Sequence, residues 1–156
     1  MLQRRRKSYS RDHGIHALDK ALEAFVKAIS ISPDYFEAKF SVGYTQYLKK
    51  NYEVAAAVFD DVLKQKPDMA EAQMYLGISL FNLKNVDAAE TILKKTVAAK
   101  GGERLALAHL YLGQIYVQKK KNAEAVSELE KYLELLPKAP NAERIKSAIA
   151  DLKKQG

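Results

Sequence analysis

The sequence has no cysteine and no tryptophan in 156 residues, and only seven glycines and four prolines. Without cysteine there is no disulfide, no thiolate zinc site, no iron–sulfur cluster and no cysteine nucleophile, and the chain suits either redox compartment. So little glycine and proline argues against an all-β chain, whose many tight turns draw on those residues. No apolar run approaches the roughly 20 residues of a membrane-spanning helix. Met1 to Gly14 is basic and lacks the apolar stretch of a signal peptide, so the expected location is cytoplasmic if the chain is complete as given. With three histidines and no cysteine, no nucleophile–base–orienter set suggests itself. Gly101–Gly102 lacks the Gly-Lys-Ser/Thr end of a phosphate loop. The expectation is a protein that is not an enzyme, with no cofactor and no catalytic residues.

What is present is an ordinary globular balance, 47% apolar and 29% charged. The net charge of +7 is uneven. Residues 1–33 carry seven basic against three acidic residues and 138–156 carry five against two, while 34–67, 68–105 and 106–137 are each neutral. A nucleic-acid binder usually spreads basic charge over its folded face, and this body does not.

Four positions recur in register. Gly43, Gly77 and Gly113 are each followed twelve residues on by Ala55, Ala89 and Ala125, and four later by Phe59, Leu93 and Leu129. Pro67, Gly101 and Pro137 follow at eight further. Ala21, Phe25 and Pro33 form an earlier half copy at the same offsets. The period is 34 residues and then 36, the two extra falling around Gly101 to Arg104. Such self-similarity marks a repeat array.

Each unit reads as two helices. Asp34 to Lys49, Met69 to Leu83 and Glu103 to Lys119 are expected first helices, with apolar residues every three or four positions. Tyr52 to Lys66, Val86 to Lys100 and Asn122 to Leu136 are the second helices. Lys50–Asn51, Lys84–Asn85 and Lys120–Lys121 are the polar turns between them, with asparagine expected to take the left-handed conformation. The glycines would admit a close partner helix, met by the alanines, with Phe59, Leu93 and Leu129 filling the gap between successive pairs. Ile15 to Ser30 forms a second-type helix with a stripe of Leu18, Ala21, Leu22, Phe25 and Ile29. Ala142, Ile145, Ile149 and Leu152 make the stripe of a terminal capping helix, Asn141 to Lys154. The expected organisation is a basic segment 1–14, a half repeat 15–33, units 34–67, 68–105 and 106–137, and a cap 138–156.

These residues resemble the tetratricopeptide repeat, with its pattern of Trp, Leu–Gly, Tyr, Ala-x3-Phe and Pro over 34 residues. Val42–Gly43, Leu76–Gly77 and Leu112–Gly113 fall on the Leu–Gly pair, Tyr116 on the Tyr, and the alanines with Phe59, Leu93 and Leu129 on Ala-x3-Phe. Lys39, Gln73 and His109 stand in place of the Trp, and Gln46 and Leu80 in place of the Tyr. The resemblance covers about residues 15–137 and is to bacterial proteins of this type. It implies an all-α, right-handed α-solenoid of antiparallel helix pairs and a protein-binding scaffold.

Phe40, Tyr44, Tyr47 and Leu48 share one helix face opposite Val42–Gly43, followed in the next units by Met74, Ile78 and Phe81 and by Leu110, Gln114 and Val117. The resemblance places this face in the concave groove, where it would take a peptide or helix of a partner, with Phe40, Tyr44, Tyr47 and Phe81 as anchors. Burial of the same stripe between neighbouring first helices stays open as the alternative. Family members that grip an acidic C-terminus do so with Lys, Arg and Asn, whereas here the face is aromatic and aliphatic with Glu37 and Glu71 at its edge.

Two further constellations are weaker. His13 and His16 with Asp12 and Asp19 have spacings that could ligate a metal, but a polar helix start explains them better, so no metal is expected. Arg4–Arg5–Arg6–Lys7 with Arg11 offers an anion-binding tail, so electrostatic binding of nucleic acid is the minor alternative. Self-assembly through the helix of the half repeat is the other: a second copy as partner.

Overall fold

The computed structural model describes the backbone of residues 2–155 and the side chains of residues 14 and 16–155. All the regular structure among them is helical: α1 (Leu2–Ile31), α2 (Phe36–Leu48), α3 (Tyr52–Gln65), α4 (Ala70–Asn82), α5 (Val86–Val97), a 3-10 turn (Gly102–Leu105), α6 (Ala106–Gln118), α7 (Asn122–Leu135) and α8 (Ala142–Lys154). The chain forms two compact units, Met1–Pro67 and Asp68–Gly156. In the first, α1 packs on α2 and α2 on α3. In the second, α4 packs on α5, α5 on α6, α6 on α7 and α7 on α8, with α4 also beside α6. Helix α1 starts well before the expected Ile15, since Arg, Lys and Gln are good helix formers and carry a helix beyond its apolar stripe.

Six helices place a carboxylate in the first turn, Glu37, Glu53, Glu71, Asp87, Glu124 and Glu143, where the helix dipole favours negative charge. No side chain of Asn51 or Asn85 caps the helix it precedes.

The turn inside each helix pair has the same construction. Lys50 N–H donates to the Tyr47 carbonyl at 2.9 Å and Asn51 N–H to Gln46 at 2.9 Å. Lys84 and Asn85 repeat this onto Phe81 and Leu80, and Lys120 and Lys121 onto Val117 and Tyr116. This doubly bonded helix end requires a left-handed residue just past the cap. That residue is Lys50 (φ 62°), Lys84 (φ 66°) and Lys120 (φ 56°). The expectation that asparagine takes this conformation is corrected: Asn51 and Asn85 sit one place later with φ of −83° and −85°. Two hydrogen bonds to otherwise orphaned carbonyls offset the roughly 1–2 kcal/mol that the left-handed region costs a residue with a Cβ.

The recurring glycines close the pairs. A Cβ on Gly43 would lie 2.9 Å from the Phe59 ring, on Gly77 2.7 Å from Leu93 Cγ, and on Gly113 2.8 Å from Leu129 Cδ2. The large residue of each second helix therefore lies on the glycine of its own pair. The alanines one turn earlier, Ala55, Ala89 and Ala125, are fully buried, and at Gly113 the Ala125 carbonyl comes within 3.4 Å of the missing Cβ. Gly102 is left-handed (φ 54°), and the missing Cβ of Gly101 leaves room for buried Leu105.

Lysines at the ends of first helices tie pairs to the helix before them. Lys49 Nζ meets Asp19 at 2.5 Å, and Lys119 Nζ meets Asp87 at 2.6 Å and Glu90 at 2.5 Å. On α8, Ala142, Ile145, Ile149 and Leu152 are buried, and α7 holds it further through Tyr132 Oη donating to Asn141 Oδ1 at 2.7 Å and through Lys153–Glu130.

Gly77→Ala is expected to lower stability by about 1–2 kcal/mol, because overpacking against Leu93 outweighs the helix propensity gained. Gly14→Ala, with nothing within 4 Å of the new methyl, should gain up to about 1 kcal/mol. Urea midpoints of the two variants, read against the parent, check both signs; a stabilised Gly77→Ala would show that the pair is not closed at that point.

Lys84→Gly relieves left-handed backbone strain at an exposed position and is expected to stabilise the protein by roughly 1 kcal/mol, less the entropy that glycine adds to the unfolded chain. Thermal melting of Lys84→Gly beside Lys84→Ala, which keeps the Cβ and should gain nothing, measures the backbone effect alone.

Candidate functional site

The outward side of α2 carries a run of aromatic rings. Phe40 stacks on Tyr44 with centroids 6.5 Å apart and planes 4° from parallel, and Tyr44 on Tyr47 at 6.1 Å and 23°. The run turns onto α3 at both ends, through Tyr47 and Tyr52 at 6.2 Å and through Phe40 and Phe59 at 5.5 Å. Phe59 is buried under Gly43, so the innermost ring is fixed by the pair closure and the outer rings build on it. Tyr44 (37%) and Leu48 (45%) are exposed, and Phe40 and Tyr47 are half-buried. Glu37 is exposed on the same side, and Lys66 Nζ lies 4.7 Å over the Phe36 ring nearby.

The second unit differs. Met74 (1%), Ile78 (0%) and Leu110 (7%) are core residues. The expectation that they line a surface is corrected: α4 and α6 pack side by side, which closes this stripe between helices. Phe81 and Gln114 are half-buried and Val117 is exposed. Tyr75 and Tyr111, one place beyond Met74 and Leu110, are half-buried, and Tyr111 meets Phe81 edge to face at 5.3 Å and 79°. Neither tyrosine is part of the stripe seen in sequence, though their recurrence 36 residues apart is a signal that could have found them.

At two of the three positions of the family Trp, a polar side chain bridges the two helices of its own pair. Lys39 Nζ meets Asp61 Oδ2 at 3.0 Å, and His109 Nδ1 lies 2.7 Å from Glu128 Oε2; Gln73 is buried. Burial, followed by the charges of Glu90, Glu128 and Glu124, pushes the Tyr116 phenol up. The Lys119 ammonium, bonded to Asp87, holds that carboxyl below the usual range, and the two carboxylates raise Lys119 in return.

The remaining sequence candidates do not converge. His16 is exposed, Asp19 is bound to Lys49, and the side chains of Asp12 and His13 lie outside the described residues. Among the described residues, no three His, Cys, Asp or Glu side chains cluster as metal ligands, and no helix is long and apolar enough to cross a membrane. The side chains of Arg4, Arg5, Arg6, Lys7 and Arg11 also lie outside the described residues.

Tandem helix pairs closed by glycine under a large apolar residue define a helical-repeat protein. The chain belongs to the tetratricopeptide repeat family, whose model matches residues 11–68, 50–104 and 103–140. No curated protein matches the chain. Among solved structures it is similar to MamA (residues 41 to the end) from Desulfovibrio magneticus RS-1, with 20% identity over 96% of this chain and 93% of that one and a TM-score of 0.69. It is also similar to the Yersinia enterocolitica type III secretion chaperone SycD in complex with a peptide of the translocator YopD, with 23% identity over 80% and 97% of the two chains and a TM-score of 0.67. At these identities the likeness is one of fold.

Lys119→Ala is expected to lower the melting temperature at neutral pH. A depressed carboxylate contributes stability above its ordinary range and loses it as pH falls through the folded value, so the deficit should shrink on acidification as Asp87 protonates. Melts across the acid range and an NMR titration of the Asp87 carboxyl check this; an Asp87 titration unmoved by the substitution would dismiss the pair.

Proposed function

We propose that the protein is a scaffold, not an enzyme, that binds a peptide or helix of a protein partner on the outward faces of its first helices. Phe40, Tyr44, Tyr47 and Leu48 form the face on α2; Phe81, Gln114 and Val117, joined by Tyr75 and Tyr111, form the face in the second unit. The stacked rings of α2 carry this reading. Aromatic side chains held rigid by packing offer large contact area at low entropic cost, and a partner helix or extended segment meets them through its own apolar face. Membership of a repeat family that builds scaffolds supports it, as does a similar fold, SycD, solved with a peptide of its translocator.

Affinity capture with the native chain, followed by identification of the captured protein, supplies the ligand for titration. Tyr44→Ala and Tyr47→Ala are each expected to weaken it by roughly 2 kcal/mol, the hot-spot range, with helicity unchanged. Replacing Arg4, Arg5 and Arg6 by Ala should matter little, since charges outside the contact mostly alter association rate. Loss of binding in the arginine variant with both tyrosine variants intact would move the site to the basic tail. Steep salt dependence would point to nucleic acid, and a mass that rises with concentration to self-assembly.

A further inference from the structure

Besides this aromatic face, the first unit has a recess on another side of α2. Ile29 from α1, Val42 from α2, and Val54, Ala57 and Val58 from α3 line a pocket of roughly 500 Å³, within the range of sites that accept ligand groups. It is reached from the side of α2 opposite Tyr44 and Leu48. Val54 on its wall is 47% exposed, an apolar residue whose burial the fold does not complete.

The repeat itself does not require these residues. At the positions of Val54, Ala57, Val58 and Asp61 the next second helix has Ala88, Thr91, Ile92 and Lys95, and the last has Glu124, Ser127, Glu128 and Lys131. The fold therefore tolerates polar side chains there, and only this unit makes the stretch aliphatic. The charge is inverted too: Asp61 stands where the other two repeats have lysine.

The rim sets the polarity of what can enter. Lys39 is the one cation among the described lining residues, and its ammonium is bound to Asp61 at 3.0 Å with 18% of the side chain accessible. Asp61 remains 51% accessible, and Glu53 is exposed. The charge turned toward solvent is thus negative, around an aliphatic floor. A fatty acid or other anionic amphiphile would bring its headgroup against two carboxylates. A cation carried beside an aliphatic anchor meets them favourably.

We propose that this pocket is a second docking site, taking an aliphatic side chain of a partner protein's helix with a neighbouring lysine or arginine set against Glu53 and Asp61. It is independent of the aromatic face of α2, so one copy can hold two segments at once.

The test uses the whole chain with methyl labelling and three alanine-based helical peptides of about 15 residues. One carries leucines at i and i+4 with lysines between them; the second has glutamate for lysine, and the third serine for leucine. The first should shift the methyls of Ile29, Val54 and Val58 saturably, and the other two should bind at least about tenfold more weakly. Val54→Ser and Glu53→Lys, both at exposed positions and checked for native helicity, should each weaken the first peptide about fivefold or more. Tyr44→Ala should leave it unchanged, which separates this site from the aromatic one. Absence of saturable shifts would overturn the proposal, as would glutamate peptide binding as tightly as the lysine peptide. Octanoate shifting the same methyls at lower concentration would assign the pocket to an anionic amphiphile instead. Concentration-dependent mass in the parent, lost in Val54→Ser, would assign it to a second copy.

Discussion

The contact on which the structure rests is a large apolar side chain seated on a glycine of the facing helix. Phe59 on Gly43, Leu93 on Gly77 and Leu129 on Gly113 bring each pair of helices close enough that no Cβ fits between. A glycine inside a helix costs about 1 kcal/mol of propensity, and the close packing it permits is what offsets that cost. The tight turns are consequences of the same approach. With the axes that near, the chain must reverse within two residues, and the doubly bonded left-handed helix end does so even though lysine occupies it.

How much of this was legible in the sequence follows from what kind of constraint each feature obeys. The helix pairs were readable because glycine, alanine and a large apolar residue are demanded at fixed spacing in every copy. The partner of the large residue was not: the pattern along the chain is the same whichever helix Phe59 touches, and the distance to Gly43 is what identifies one. The left-handed position was misplaced by one because asparagine is a good turn residue wherever it falls, while the hydrogen-bond register of the helix end decides which residue turns. Met74, Ile78 and Leu110 lie on the same helical face as Tyr44, and periodicity cannot say whether a neighbouring helix covers that face. In the second unit α4 and α6 cover it.

The position of the family Trp shows how little the polar contacts are constrained. Lys39 bonds to Asp61, His109 to Glu128, and Gln73 is buried. The two contacts use different positions of their second helices, 22 and 19 residues further on. The polar contact at this place varies from copy to copy while the glycine contact holds the geometry. The lysine ties at the ends of α2 and α6 vary in the same way, one carboxylate in the first unit and two in the second.

Departures from the repeat are therefore more informative about function than the repeat. A position that closes the pair must be conserved among copies to preserve the fold, and glycine, alanine and the large apolar residue are. An exposed position outside that set is free to take whatever solvent favours. Where such a position instead holds an exposed apolar residue, as Val54 does, closing the pair supplies no reason for it, whereas Asp61 has one in its bond to Lys39. Tyr44 stands where the other copies have Ile78 and Gln114, so the stack of Phe40, Tyr44 and Tyr47 does not recur at those positions. Val54 and Asp61 depart in the same unit, on another side, from Ala88 and Glu124 and from Lys95 and Lys131. Two departures of opposite character, one aromatic and one aliphatic with carboxylates, thus fall in the first unit, on the two faces proposed as docking surfaces. The second unit spends its apolar stripe on packing α4 against α6.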